Sequence, residues 1–285
     1  MHWSVLYRRL EQADEPFVMI SVVESRGSTP REIGARCFVT PGGRLEGTIG
    51  GGTLEEEARL EGATLLRRVT EAEAAGTPPP QAHTRNFTLG DLLGQCCGGR
   101  VRLLFEPVIP PQRLLIFGAG HVGRALARVL AESRLRVSVI DPRESFADPR
   151  RFPPEVEVTA GDPLALIPEL VLDEARTHLV VMTHSHCLDQ RILEQLLRRP
   201  FRFLGLIGSR AKWAKFRREL AEGGIPAATL DRVHCPVGLP LGDKRPAEVA
   251  VSIAAEILAQ LPRASKGLEA KAARAAAVRG EGGRS

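Results

Sequence analysis

Four consecutive apolar residues, Leu114-Leu115-Ile116-Phe117, run directly into Gly118-Ala119-Gly120-His121-Val122-Gly123, and few sequence features restrict a fold as tightly. The apolar run reads as a strand buried on both faces, and Ala125, Leu126, Ala127, Val129 and Leu130 mark the helix that the glycines open. Val137-Ser138-Val139-Ile140 supplies a second strand, closing on Asp141, 18 residues past Gly123. This is one strand-helix-strand unit. Gly118 permits the tight turn, Gly120 lets the backbone approach a pyrophosphate, and Gly123 lets the helix pack on the strand. The N-terminus of that helix offers unpaired N–H groups to an anion. Asp141 stands where a carboxylate can accept from a ribose hydroxyl, and Arg143 could face a 2′-phosphate instead, so NAD and NADP are both open.

Further buried strands are predicted at residues 157–160, 178–182 and 201–207, giving a parallel sheet whose functional groups gather beyond the strand ends. Thr183-His184-Ser185-His186 lies at one such end, ahead of a helix predicted over 190–198. His184, His186 and Asp189 have a spacing that could hold a metal, and equally one that could start a helix. Ser209 is a good N-cap, and Arg210 with Lys212 would favour a phosphate there. Pro246 opens the last helix, which buries Val249, Ile253, Ile257 and Leu261.

The first half reads differently. An amphipathic helix is predicted through Trp3, Leu6, Tyr7 and Leu10, then a strand over 17–23 and a polar turn, Gly27-Ser28-Thr29-Pro30-Arg31. Strands over 35–40 and 44–49 form a hairpin about Pro41-Gly42-Gly43. Gly50-Gly51-Gly52 then precedes a helix to about Val69, with Thr53 and Glu56 as a capping box. The glycine N–H groups there form either an anion cradle or a plain bend. Residues 71–81 read as a loop, and strands follow at 83–89 and 100–107. Between them Gln95 adjoins Cys96-Cys97, flanked by Gly94, Gly98 and Gly99. In such a turn the two thiols are either soft ligands and sulfur carriers or small buried apolar residues. Residues 108–111 are the linker.

Composition excludes several classes. Of the formal charge of +5, the tail after Pro262 supplies nearly all, with six basic residues against two acidic ones, so no basic face points to nucleic acid. No apolar run approaches a membrane span, and the N-terminus has no signal-peptide pattern, so a cytoplasmic protein that does not engage membranes is expected. Five cysteines without a C-x-x-C pair argue against both a disulfide framework and a structural zinc site. The fold class expected is α/β: a small mixed α/β domain over 1–108, a Rossmann-like parallel-sheet domain over 109–262, and a disordered tail over 263–285. Symmetric dimers being the commonest assemblies, a homodimer is expected.

Seven ordered segments together resemble the xanthine dehydrogenase accessory factor family, XdhC/CoxI. They are Gly27-Ser28-Thr29-Pro30-Arg31, Gly47-Thr48-Ile49-Gly50-Gly51-Gly52-Thr53-Leu54-Glu55, Gly94-Gln95-Cys96-Cys97-Gly98-Gly99, Phe117-Gly118-Ala119-Gly120-His121-Val122-Gly123, Thr183-His184-Ser185-His186, Gly205-Leu206-Ile207-Gly208-Ser209-Arg210 and Pro246-Ala247-Glu248-Val249-Ala250. The resemblance implies a carrier rather than an enzyme. Such proteins bind the molybdenum cofactor, as molybdopterin or its cytidine dinucleotide form. They hold it while a cysteine desulfurase helps supply a terminal sulfido ligand, and pass it to an apo-molybdoenzyme such as xanthine dehydrogenase. On that reading Arg31 with Gly50, Gly51 and Gly52 holds the phosphate, and Cys96 or Cys97, beside Gln95, lies near the molybdenum or its incoming sulfur. The glycine turn of Gly118, Gly120 and Gly123, with His121, Asp141, His184, His186, Ser209 and Arg210, completes the candidate set. A competing reading is an NAD(P)-dependent oxidoreductase using His184 or His186 as acid or base, and a third makes the nucleotide fold a docking surface only.

Overall fold

The structure, a computed structural model, describes residues 15–89 and 99–261. The helix predicted near Trp3, the segment carrying Gln95, Cys96 and Cys97, and the 263–285 tail lie outside the described residues. The chain divides into two compact units between Pro110 and Pro111. Among the described residues no helix is long and apolar enough to cross a membrane.

The first unit is an antiparallel sheet with one long helix on it. Strands β1 (Phe17–Arg26), β2 (Arg36–Val39), β3 (Leu45–Gly47), β4 (His83–Thr88) and β5 (Arg100–Val108) stand in the order β3-β2-β1-β5-β4. Alternation puts Val18, Ile20 and Val22 of β1 on the same face as Leu103 and Phe105 of β5. Helix α1 (Gly52–Ala75) lays Leu54, Ala58, Leu65 and Leu66 on that face. Gly62 allows the approach, since a Cβ there would lie 2.7 Å from a methyl of Val39. The helix runs past the predicted end near Val69 because Glu71 to Ala75 are good helix formers. It stops at Gly76 (φ 65°), where the N–H of Thr77 reaches back to the carbonyl of Ala72 (2.9 Å).

The second unit is a fully parallel six-stranded sheet, with helices on both faces. Its strands are β6 (Gln112–Phe117), β7 (Leu135–Asp141), β8 (Glu157–Ala160), β9 (Thr177–Val181), β10 (Phe203–Leu206) and the unpredicted two-residue β11 (Val233–His234). The order β8-β7-β6-β9-β10-β11 is the doubly wound 3-2-1-4-5-6 arrangement, as the strand-glycine-helix unit predicts. Within β6, Leu114 and Ile116 face helices α2 (His121–Leu130) and α7 (Pro246–Gln260), counting α7 as last in the chain. Leu115 and Phe117 face the opposite layer, built by α4 (His186–Leu196) and α5 (Arg210–Glu222). Two short helices, α3 (Pro163–Leu166) and α6 (Ala227–Leu230), complete the unit. The strand order reverses between β6 and β9, the place where open sheets of this kind bind ligands.

Candidate functional site

In the first unit three separate loops meet at one end of the sheet. Gly99 begins the return into β5, and a Cβ on it would lie 2.3 Å from the carbonyl oxygen of Ser28 and 2.8 Å from Cγ2 of Thr29. Its carbonyl also accepts from the N–H of Leu89 (2.8 Å), which joins the two ends of the stretch carrying the cysteine pair. Pro30 in turn packs on the triglycine turn, since a Cβ on Gly50 would stand 2.4 Å from Pro30 Cγ. The Gly27-to-Arg31 turn therefore touches both other segments. Ser25 and Thr29 share a hydroxyl hydrogen bond (2.6 Å) that pins its base.

The triglycine turn is neither a plain bend nor a vacant cradle, the two forms its sequence left open. Gly50, Gly51 and Gly52 have φ values of 137°, 81° and 65°, so their backbone follows a path open to glycine alone. The N–H groups of Ile49 (2.9 Å), Gly50 (3.2 Å) and Gly51 (2.8 Å) converge on one oxygen of Glu55, which also accepts from the Thr48 hydroxyl (2.6 Å). Burial raises the Glu55 carboxyl, but these four donors outweigh it and hold the group below the ordinary carboxylate range. The anion cradle exists, and the protein's own carboxylate fills it. Nor does the capping box form: the N-cap is Gly51, without a side-chain cap, and Glu56 pairs with Arg59 (2.6 Å). Helix entry is fixed instead by Glu55 reaching back. Arg31 is exposed beside this turn.

Cys37 of β2 is fully buried, and burial followed by the charge of Glu55 pushes its thiol up to about 12. Such a group is inert. Gln95, Cys96 and Cys97 lie outside the described residues, four, three and two positions before Gly99 in the chain.

In the second unit the glycine turn stands at the topological switch point. A Cβ on Gly118 (φ 126°) would come within 2.4 Å of the Met182 carbonyl, and one on Gly123 within 2.0 Å of the Gly118 carbonyl, so both are required by close backbone approach. Gly120 is different. A Cβ there meets nothing within 4 Å, and Gly120 caps α2 with no side chain, leaving the helix N-terminus open beside exposed His121. A helix end of this kind offers unpaired N–H groups to an anion.

Asp141 does not fit a ribose. It is 0% exposed, and both of its oxygens are engaged: Oδ2 accepts from the Ala119 N–H (2.7 Å) and Arg143 Nη2 (2.7 Å), and Oδ1 from Arg143 Nε (2.8 Å) and the Arg143 N–H (3.0 Å). Burial works to raise this carboxyl, and the Arg143 guanidinium with the two N–H groups holds it low. The pair ties the glycine turn to the end of β7. Arg143 also lies over the Phe146 ring, 3.8 Å from its centroid, with 29% of its side chain exposed.

The histidine cluster is a helix start. Ser185 caps α4, which begins at His186, four residues before the predicted start. Asp189, 1% exposed, points inward, accepting from the Thr183 hydroxyl (2.7 Å), the Thr183 N–H (2.9 Å) and the ammonium of Lys212 (2.7 Å). It is thereby withdrawn from His184 and His186, both exposed. Among the described residues no group of three His, Cys, Asp or Glu side chains gathers closely enough to hold a metal. Ser209 caps α5 as predicted, accepting from the Lys212 N–H (3.1 Å), with Arg210 exposed beside it. Lys212, however, is spent on Asp189 and the Ile207 carbonyl (3.0 Å), so it cannot share a phosphate with Arg210.

Family models match segments of both units. The XdhC Rossmann domain family matches residues 114–257, half of the chain, and the XdhC and CoxI family matches residues 10–73. The chain belongs to the XdhC/CoxI family. Among curated relatives of this XdhC/CoxI protein, the uncharacterized protein YqeB of Escherichia coli K12 is 33% identical over 264 residues, covering 92% of this chain and 47% of its own length. A Bacillus subtilis 168 protein described as a probable xanthine dehydrogenase subunit is 31% identical over 160 residues, 55% of this chain and 45% of its own. The chain thus spans about half the length of the curated relatives it matches. A crystal structure of a xanthine dehydrogenase from Bacillus halodurans aligns over 91% of this chain and 96% of its own, at 21% identity and a TM-score of 0.47, too loose a match to add to the assignment.

Proposed function

We propose that this XdhC/CoxI protein is a non-catalytic accessory factor of a xanthine dehydrogenase-type molybdoenzyme. On this reading it binds the molybdenum cofactor, as molybdopterin or its cytidine dinucleotide form, and delivers it in sulfurated form to the apo-enzyme, with a cysteine desulfurase as the source of sulfur. The observation that carries the reading is the meeting of the Gly27-to-Arg31 turn with both the triglycine turn and Gly99, the residue that follows the cysteine pair and Gly98. Residues of three segments that the family resemblance singles out, far apart in sequence, share one place, Gly99 being the described residue of the third. The Bacillus subtilis relative, described as a probable xanthine dehydrogenase subunit, supports the choice of recipient.

The cargo asks for a phosphate site, hydrogen-bonding groups and a soft donor. Arg31 stands exposed at the junction, and Cys96 and Cys97 are the soft donors by sequence. The open N-terminus of α2 at Gly120 suits a phosphate of the dinucleotide form. The oxidoreductase alternative is weaker here, because the carboxylate that would hold a ribose is buried and committed to Arg143. A homodimer is part of the proposal.

The test is delivery. Cofactor-loaded protein mixed anaerobically with apo-xanthine dehydrogenase is expected to restore its activity, and the Cys96→Ala/Cys97→Ala protein to lose at least about tenfold of that rate. Equal rates for both proteins would remove the thiols from the account.

A further inference from the structure

On the open face of the first unit's sheet, β1, β4 and β5 enclose a hollow of about 280 Å³, lined by Glu24, Arg26, Asn86, Thr88, Arg100 and Arg102 with backbone between them. How these residues come to share a face is itself informative. Alternation from the buried Val18, Ile20 and Val22 would send Glu24 and Arg26 into the core. A bulge between Val22 and Glu24 adds one residue and reverses the facing, so Glu24 stands opposite Arg102 and Arg26 opposite Arg100. On the other side Asn86 faces Arg102 and Thr88 faces Arg100.

The charges do not balance. Glu24 receives Arg26 Nε (2.7 Å) and Arg102 Nη1 (3.1 Å), and Asn86 Oδ1 receives Arg102 Nε (2.9 Å). Arg100 is exposed and has no carboxylate partner among the described residues. Among the described residues one carboxylate therefore answers three guanidinium groups. Two like charges directly opposed on neighbouring strands are unfavourable by themselves. A doubly charged anion with several acceptor oxygens would reverse that, since guanidinium forks match phosphate oxygens bidentately. The hollow is slightly smaller than a whole-ligand pocket, a size suited to the charged end of a ligand. The backbone cradle nearby already holds Glu55, so it does not compete for the same group.

We propose that this arginine-lined hollow is a binding site for a phosphate monoester or diphosphate group, with Arg100 and Arg26 as its principal donors and Arg102 held in place by Glu24 and Asn86. The site stands on its own charges and register, whether or not the carrier reading holds.

Inorganic pyrophosphate is the probe, so that failure here is separable from failure to bind the molybdenum cofactor. The full chain is treated with phenylglyoxal, and modification is followed arginine by arginine by peptide mass spectrometry. Pyrophosphate at millimolar concentration is expected to slow modification of Arg100 and Arg26 by at least about fivefold, while sodium chloride of equal ionic strength has little effect. In Arg100→Gln the protection of Arg26 should need about tenfold more pyrophosphate, with the thermal midpoint unchanged or raised because the opposed charge is gone. Unprotected Arg100, protection matched by sodium chloride, or undiminished protection of Arg26 in Arg100→Gln would each overturn the proposal.

Discussion

Glu55 decides what the triglycine turn can be. Its carboxylate takes three backbone N–H groups and a hydroxyl that would otherwise offer an anion site. Glu55→Gln keeps the shape and removes the charge, and is expected to cost about 1–2 kcal/mol in urea denaturation at pH 7. Because the folded carboxyl lies below its ordinary value of 4.5, that advantage over the variant is present above this pH and fades as the pH falls through the lower folded value. His178 runs the opposite way in charge. Its ring is fully buried, Nε2 is bonded to Gln112 Oε1 (3.0 Å), and burial, then Arg202, lowers it from 6.5 to about 4. The unfolded chain takes up this proton first, so stability is lost as the pH drops from 6.5 towards 4. Chemical denaturation of wild type and His178→Phe across that window should show their difference shift against wild type by up to about 3 kcal/mol. A difference that stays flat would mean that His178 titrates normally in the fold.

At the scale of elements, the glycines of the nucleotide-type turn separate by what surrounds them. Gly123→Ala would drive a Cβ into the Gly118 carbonyl, while Gly120→Ala points into open space at an ordinary φ of −67°. Thermal and urea melts should show Gly123→Ala losing about 3 kcal/mol or more, and Gly120→Ala staying within about 0.5 kcal/mol of wild type. Similar losses would mean that the α2 N-terminus is not open. This turn was legible because Gly118 and Gly123 have local steric reasons visible in the sequence spacing. So were Ser209 as a cap and Pro246 as a helix start, both short-range chemistry. The choice between a metal site and a helix start at α4 was not, since the Asp189-to-Lys212 ion pair that withdraws the carboxylate is recognisable only once two helices are neighbours. The occupant of the triglycine cradle was missed for a simpler reason. Glu56 completed a familiar cap spacing, and the Glu55 beside it, four residues after Gly51, was the one that turned back. The arginine hollow had only a faint signal, the alternation Arg100-Val101-Arg102, because the bulge that brings Arg26 beside it has no mark in β1 itself.

For the whole molecule, the two units distribute the account unequally. The second unit has the doubly wound sheet and an open helix N-terminus, but its buried acid is committed to Arg143. The first unit gathers three of the segments that mark the family around one end of a sheet. The proposed function therefore rests on the less familiar half of the protein, where sequence pattern alone left the cradle and the cysteine pair open. The most direct measurement is anaerobic equilibrium binding of the molybdenum cofactor to the full chain, read by metal analysis and pterin fluorescence of the retained fraction, with NAD run in parallel. The account predicts near-stoichiometric cofactor retention that weakens in Cys96→Ala/Cys97→Ala, and NAD binding that is weak or missing. Tight NAD binding with no retained cofactor would contradict it and restore the oxidoreductase reading.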